Sequence, residues 1–451
     1  MFQNNRRLLP FLAAVLLFLN LLPLGAEVLS NGEGVYILSA MAYETDKYTR
    51  EEALVRELNI PEGKRFDSFA ALDEYLADKA QDLVNLRVFE DVTYRLELLG
   101  DSEGEKRFKA TIIVDGAWTL YPIPYPKYDS NTGFRGGLKV YYSNFFGTLT
   151  DFYLGMNIDL RPDGDGWEIP QWSINPELGN ISLFGQDFAL SLMQRYQESS
   201  KYNDEDELYV ERYNYYSTDI EIKTTLRLPH SLSYSFAPKF AFFYGYQDQL
   251  PDNGSGIVEE DMKFSFSHSL GWGNIDWIGN FRRGIAVSLS NSLAYVTEEE
   301  FEGTVKSSIS GTLRFFYPWH ILNPSIRLRG LYSFTDELSG QGGGLRGIRD
   351  DSLYGIYGGF LNTSLNVSVI RWKGVGEALF QPFFDMGMMK REGISFDKKY
   401  DIKYGAGADF ILYLDKLKGL VARGSIGIDL GNPDWSDGRK YEIVIESSLL
   451  Y

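Results

Sequence analysis

From Trp118 to the last residue, Tyr451, the chain alternates between apolar and small or polar residues, segment after segment. In 285–295 the odd positions carry Ile285, Val287, Leu289, Asn291, Leu293 and Tyr295, and the even ones Ala286, Ser288, Ser290, Ser292 and Ala294. In 400–414, Tyr400, Ile402, Tyr404, Ala406, Ala408, Phe410, Leu412 and Leu414 oppose Asp401, Lys403, Gly405, Gly407 and Asp409. In 420–430, Leu420, Ala422, Ile426, Ile428 and Leu430 oppose Arg423, Ser425 and Asp429. A period of two puts each set on one face of a strand. Segments this long, apolar on one face to both ends and finished by Tyr or Phe, match strands that cross a membrane. Such strands need about 9–11 residues, an apolar outside and a polar lumen.

The pattern predicts an all-β transmembrane barrel of about sixteen antiparallel strands, near 118–127, 134–143, 148–160, 167–175, 183–197, 207–228, 231–248, 259–271, 283–296, 303–317, 321–335, 353–370, 374–390, 399–415, 419–430 and 440–451. Connections after even-numbered strands include very short ones, at 229–230, 318–320, 371–373 and 416–418. Those after odd-numbered strands are mostly longer, up to 336–352. Short turns on one rim and long loops on the other are the polarity of an outer-membrane barrel. The connection at 272–282 is longer than this rule allows. The competing soluble folds are a β-sandwich, propeller or solenoid. They do not need an outward face that stays apolar to both ends, and no internal repeat of 20–50 residues is visible.

Upstream, residues 33–115 mix strand and helix. Val35 to Met41 reads as a strand, and Thr49 followed by Glu52 reads as a capping box opening a helix to about Leu58. Pro61, Glu62 and Gly63 end it. A second helix starts near Asp67, with Phe69, Leu72, Leu76, Ala80, Leu83 and Leu86 on one face. Strands at 88–99 and 107–114 follow. The order is βααββ, a three-stranded sheet covered by two helices.

The first 26 residues read as a secretory signal: Arg6 and Arg7, an apolar run from Phe11 to Leu22, then Leu24-Gly25-Ala26 before the cut. A membrane anchor is the other reading, against which the run is short and bracketed by Pro10 and Pro23. Removal takes two arginines and no acid, and lowers the formal charge from −18 to −20. The 62 acidic against 44 basic residues leave no basic footprint for nucleic acid. With 0 Cys there is no disulfide framework and no thiol nucleophile. The 3 His are scattered: His268 follows Phe264 and Phe266 on an apolar face, while His230 and His320 fall in short turns. Neither a hydrolytic nor a metal centre is implied, and Glu298-Glu299-Glu300 and Asp204-Glu205-Asp206 read as solvated loop charges. After residue 26 no apolar run is long enough for a membrane helix.

Several short stretches carry a resemblance. The order of elements in 33–115, with Asn85-Leu86-Arg87-Val88-Phe89-Glu90-Asp91-Val92 where the second helix meets the next strand, resembles a POTRA domain. Asn144-Phe145-Phe146-Gly147 is similar to the Asn-x-hydrophobic-Gly turn near the start of BamA/TamA-type barrels. Gly343-Gly344-Leu345-Arg346-Gly347-Ile348 looks like the Arg-Gly-aromatic motif of the sixth outer loop in that superfamily, with Ile348 in place of the aromatic. Phe383-Phe384-Asp385 resembles the strand motif whose Asp faces that Arg. Together these resemble the BamA/TamA outer-membrane assembly and translocation superfamily, also called the bacterial surface antigen family, over essentially the whole mature chain. A single POTRA departs from the several that assembly factors usually carry.

Together with the leader and the strand pattern, the resemblance implies three domains: a signal peptide (1–26), a periplasmic POTRA-like domain (33–115) and an outer-membrane barrel (118–451). It implies a non-enzymatic assembly, insertion or translocation factor without nucleotide or redox cofactor. Its partners would be unfolded outer-membrane or secreted polypeptides, outer-membrane lipid, and periplasmic chaperones or accessory proteins. A two-partner secretion pore and a passive porin or adhesin are the alternatives. Arg346 would form a loop latch with Asp385, because a guanidinium folded into a lumen needs a carboxylate; a solvated loop arginine is the other reading. Gly343, Gly344 and Gly347 would let the loop approach the wall. Gly342, Gly344 and Gly347 also spell G-x-G-x-x-G, but no helix follows as dinucleotide binding requires. Pro122, Pro124 and Pro126 remove backbone donors from one edge of the first strand. That edge would meet the last strand, with Tyr441 and Tyr451, at a lateral seam; an extended proline-rich linker is the alternative. The alternating C-terminus with its final aromatic, Tyr451, resembles a barrel-recognition signal, with Glu446 where glycine is usual.

Overall fold

The computed structural model describes residues 35–46, 48–102, 104–124, 127–129, 133–163, 166–183, 186–203, 208–250, 262–297, 303–338, 340–348, 352–432 and 440–449. The expected signal segment, Pro126 and Tyr451 lie outside them. The first elements are β1 (Val35–Glu44), α1 (Glu51–Leu58), β2 (Lys64–Phe66), α2 (Phe69–Asn85), β3 (Phe89–Ser102) and β4 (Glu105–Gly116). Their strands form one sheet in the order β2-β1-β4-β3. The sequence predicts three strands; β2 is the fourth. Three residues are too few to show a period, and their partners, Tyr36 opposite Phe66, come from β1.

The face of α2 follows its 3.6-residue period. Leu72, Leu76 and Leu83 are fully buried and Ala80 nearly so. Phe69, expected on that face, is 46% exposed. It meets the rings of Tyr36 and Phe108 instead, at 6.2 and 5.8 Å. The Ser68 hydroxyl accepts the Ala71 N–H at 3.1 Å and caps this helix. The capping box expected at Thr49 and Glu52 does not form. Arg50 holds the N-cap position of α1 with no side-chain cap. The Thr49 hydroxyl is taken by the buried Asn144 amide, so a tertiary hydrogen bond overrides the local motif.

The remaining strands close into a barrel. β5 (Leu120–Pro124) and β6 (Lys127–Asp129) both pair with β7 (Gly133–Tyr142) and together form its first strand. There follow β8 (Asp151–Asp163), β9 (Gly166–Leu183), β10 (Gln186–Asn203), β11 (Leu208–Leu228), β12 (Leu232–Asp248), β13 (Met262–Ile278) and β14 (Phe281–Thr297). β15 (Gly303–Phe316), β16 (Leu322–Ser333), β17 (Tyr357–Trp372), β18 (Gly376–Lys390), β19 (Ile402–Leu414), β20 (Leu420–Asp429) and β21 (Tyr441–Leu449) complete it. Counting β5 and β6 as one gives the sixteen strands expected. Closure leaves no unpaired edge, the condition for a sheet in hydrocarbon. Alternation holds: Phe410, Ile426 and Ile443 point outward at 58%, 51% and 55% exposure, while Asp385 and Asp409 point inward and are inaccessible.

The connection that broke the turn rule is a misread strand. β13 runs on to Ile278, and only Gly279 and Asn280 separate it from β14, with Ile278 opposite Phe281. Gly273, Asn274 and Asp276 interrupt the apolar alternation there, so the sequence pattern stops before the ladder does. At the other rim, the strand expected from 399 starts at Ile402, after a short helix α3 (Lys398–Asp401). Asp401 is buried there and accepts from Arg391 at 2.9 Å.

By its contacts the chain divides into two compact units. Of the described residues, one unit holds those up to Met41 with Pro61–Leu76 and Leu96–Ala110, and the other holds those in Ala42–Ile60, Ala77–Arg95 and from Thr111 onward.

Candidate functional site: a loop latched to the barrel wall

The loop between β16 and β17 folds onto the inner wall. A bridge between Leu338 and Gly355 closes its neck. Leu345, Ile348 and Leu353, all under 3% exposed, bury with Leu331, Phe360 and Met389. Ile348 thus takes the apolar role that the motif usually gives to an aromatic. These anchors bracket Arg346.

The Arg346 guanidinium meets Asp385 edge to edge, Nε to Oδ2 at 2.9 Å and Nη2 to Oδ1 at 2.8 Å. This is the bidentate geometry that suits a planar guanidinium. The Arg346 backbone N–H also donates to Asp385 Oδ2, at 3.0 Å. Nη1 reaches Asp409 Oδ2 at 3.2 Å, and Nη2 reaches Ser364 Oγ at 3.0 Å and the Thr363 carbonyl at 3.2 Å. The Phe383 ring lies 4.0 Å below the guanidinium carbon. Arg423 donates to the other oxygen of Asp409 at 3.2 Å. Two guanidiniums therefore face two buried carboxylates, and the charges of these four side chains balance. Every charge being paired is what makes such burial tolerable.

Backbone approach is as close as the charges are. Gly347 has φ +79°, and a Cβ there would strike the backbone of Gly427 and Ile428. Its N–H donates to the Glu442 carboxylate on β21, so the loop tip touches the last strand. Gly405 faces the Arg346 carbonyl in the same way. Gly343 and Gly344 belong to a short 3-10 turn (Gln341–Gly344). A Cβ on Gly344 would meet only the Arg329 guanidinium, at 3.9 Å. Close approach thus demands a glycine at 347 and not at 344.

The structure thus brings Arg346, Asp385 and Gly347 together. Asp409, Arg423, Glu442, Gly405 and Gly427 were missed. The alternation already put Asp409, Gly405 and Arg423 on polar faces, but their convergence depends on cross-strand register, which one chain does not display. Beneath the loop a cavity of about 580 Å³ is lined by Trp277, Arg282, Arg327, Asp409, Arg423 and Glu442 among others.

At the first strand, the Ser143 N–H donates to the Thr119 carbonyl at 3.0 Å, and the register puts Tyr121 opposite Tyr141, Pro122 opposite Val140 and Ile123 opposite Lys139. Bonded pairs alternate in an antiparallel ladder. Tyr121 and Ile123 therefore turn their backbone groups to β7, whereas Pro122 and Pro124 turn theirs to the side of β21. The segment is a barrel strand and not a linker. Tyr441 stands on the outer face of β21, opposite Ile428.

Within the larger unit, segments 42–60 and 77–95 lie against the short turns. Arg87, buried at φ +58°, donates to the carbonyls of Lys418 and Gly279 at 2.9 and 2.8 Å and to Asn280 Oδ1 at 3.2 Å. Burial, then the Arg87 charge, hold the Lys418 ammonium below its usual pKa. Asn85 pairs with Asp276 at 3.0 Å, and Gln81 donates to the Trp277 carbonyl at 3.1 Å. Asn144 donates to Thr49 and accepts the Leu149 N–H, both at 2.9 Å, while the Arg50 N–H reaches the Gly147 carbonyl at 2.9 Å. Arg87 and the Asn144–Gly147 turn were visible as motifs, but their partners were not. His268 Nε2 donates to Asn291 Oδ1 on the outer face, at 3.2 Å.

Among solved structures, CdiB from Acinetobacter baumannii aligns with a TM-score of 0.58 and 15% identity, over 92% of this chain and 74% of that one. CdiB from Escherichia coli aligns at 0.52 and 12%, over 95% and 93%. BamA from Haemophilus ducreyi lacking POTRA domains 1–3 aligns at 0.51 and 11%, over 91% and 85%. The chain has the fold of BamA and CdiB. That fold, a closed β-barrel preceded by a small α/β module, is the one expected from the strand pattern and the POTRA resemblance. No protein-family model and no curated protein matches the chain.

Proposed function

We propose that this chain is an outer-membrane factor that captures client polypeptides and passes them to the bilayer through a lateral seam between β5 and β21. Residues 1–26 are its export signal, 33–115 its periplasmic POTRA-like domain and 118–451 its barrel. The free edge of β3, fourteen residues long, takes up an extended client by strand addition. Arg346 and Asp385 act as a latch that holds the loop, and through Glu442 the last strand, in the closed state.

The observation that carries this reading is the proline edge. β5 offers β21 no N–H from Pro122 or Pro124, so closure there lacks two donors that other residues would supply. A secretion pore of the two-partner type is the second reading, favoured by the polar cavity under the loop, through which a client could leave by the lumen.

With 0 native cysteines, a seam disulfide can be introduced cleanly. Clients are first identified as the surface proteins lost in a depletion strain. A cysteine at Leu120 is then paired in turn with cysteines at 443, 445 and 447, and the pair that oxidises is kept. Lateral delivery predicts that client insertion stops under oxidation and resumes on reduction. Continued export with the seam locked supports the pore, and the absence of any lost client supports a porin or adhesin.

A further inference from the structure

We infer that the lumen wall formed by β13 to β17 is a binding site for an extended, carboxylate-rich polypeptide segment. The registers of these five strands put Lys263, Arg282, Lys306, Arg314, Arg327 and Arg329 on the inner face. The same face carries no Asp or Glu on any of the five; its other residues are mainly Ser, Gly, Ala and Asn. This occurs in a chain whose formal charge is −18, so the bias is local and not compositional.

The four arginines differ from the latch pair Arg346 and Arg423, which face Asp385 and Asp409. Among the described residues, no carboxylate forms an ion pair with Arg282, Arg314, Arg327 or Arg329. Arg282 lies over the Trp277 and Phe316 rings at 4.5 and 5.5 Å, and Arg329 over Phe360 at 5.7 Å, so aromatic faces hold their guanidiniums in place. Arg314 stands directly opposite Arg327 across the ladder. Like charges in that position repel, and an anion between them relieves the repulsion. Arg282 and Arg327 also line the cavity beneath the loop, which gives a ligand room.

The spacing selects an extended chain over a single small anion. Arg327 and Arg329 are alternate residues of one strand, about 7 Å apart along it. A segment lying along β16 with acidic residues at every second position presents carboxylates at the same interval. Each can be taken in the planar, two-point geometry that guanidinium favours. The inference draws on the proposed polypeptide handling only to name the ligand. Its test uses no client and leaves the seam experiment independent.

The full-length protein, purified in a neutral detergent, is titrated into fluorescently labelled hexaglutamate and followed by anisotropy, with hexalysine and free glutamate as comparison ligands. The expected result is saturable hexaglutamate binding that weakens as salt is raised, with no hexalysine binding. The Arg314→Gln/Arg327→Gln double variant should bind about tenfold more weakly, as the loss of two partly screened pairs implies. Arg65→Gln, on β2, should change nothing. Heat-modifiable migration checks that the double variant is folded, and the single variant Arg329→Gln should weaken binding by a smaller factor if it is not. Absence of hexaglutamate binding, equal binding by the variants, or competition by free glutamate at matched carboxylate concentration would each overturn the inference, the last by reducing the wall to a small-anion site.

Discussion

Two places on the same barrel close in opposite ways. At the loop, Arg346 is held by two carboxylates, a hydroxyl, a carbonyl and an aromatic ring, and the backbone at Gly347 touches the wall. At the first strand, β5 spans five residues and gives β21 two prolines. The first is over-determined by buried charge and close packing. The second is under-bonded by sequence. In the mechanism proposed above, such a cylinder would open where donors are missing, with the latched wall as the frame.

Mutations can break that contrast from the stronger side. Asp385→Ala leaves a guanidinium facing a buried apolar gap. Removing one partner of a buried pair costs about 3–5 kcal/mol, and the denaturant midpoint of the folded, heat-modifiable form should fall accordingly. Gly347→Ala should cost about 1–3 kcal/mol through its positive φ and the backbone of Gly427, seen as faster proteolysis of the loop. A free energy unchanged in either variant would mean that the loop does not bind the wall.

On the weaker side, Pro122→Val restores an N–H toward β21 and should stabilise the junction by about 0.5–1.5 kcal/mol, the worth of one hydrogen bond. The measurement is slower amide exchange in 441–449 together with lower client delivery. The smallest effect sharpens the glycine argument. Gly344→Ala has room and an ordinary φ, so stability should stay within about 0.5 kcal/mol of the parent. A loss as large as that of Gly347→Ala would contradict the assignment of the close approach to residue 347 and not 344.

Much of this was legible in the chain itself, because a barrel strand has to be apolar on one face from end to end. Ile402 to Leu414 forms the strand its alternation announces, although Tyr400 and Asp401 turn out to belong to α3, and Asp409 was already on the polar face. Where glycines and polar residues thin the pattern, as at Gly273, Asn274 and Asp276, nine residues of strand (272–278 and 281–282) were read as a connection. β2 was lost because three residues cannot show alternation. Arg346 and Asp385 could be joined through a resemblance and the need of a buried cation for a partner. Asp409, Arg423 and Glu442 could not, since they converge only through the pairing of β18 to β21. The Thr49 capping box failed for a related reason: its hydroxyl serves Asn144, nearly a hundred residues away, and no local rule foresees that.

Hydrogen–deuterium exchange of the full-length protein in lipid nanodiscs tests the contrast most directly. The account predicts that amides of 441–449 exchange markedly faster than those of 376–390 and 402–414, because the last strand borders the proline edge while the others carry the latch. Equal protection along all three strands would contradict it.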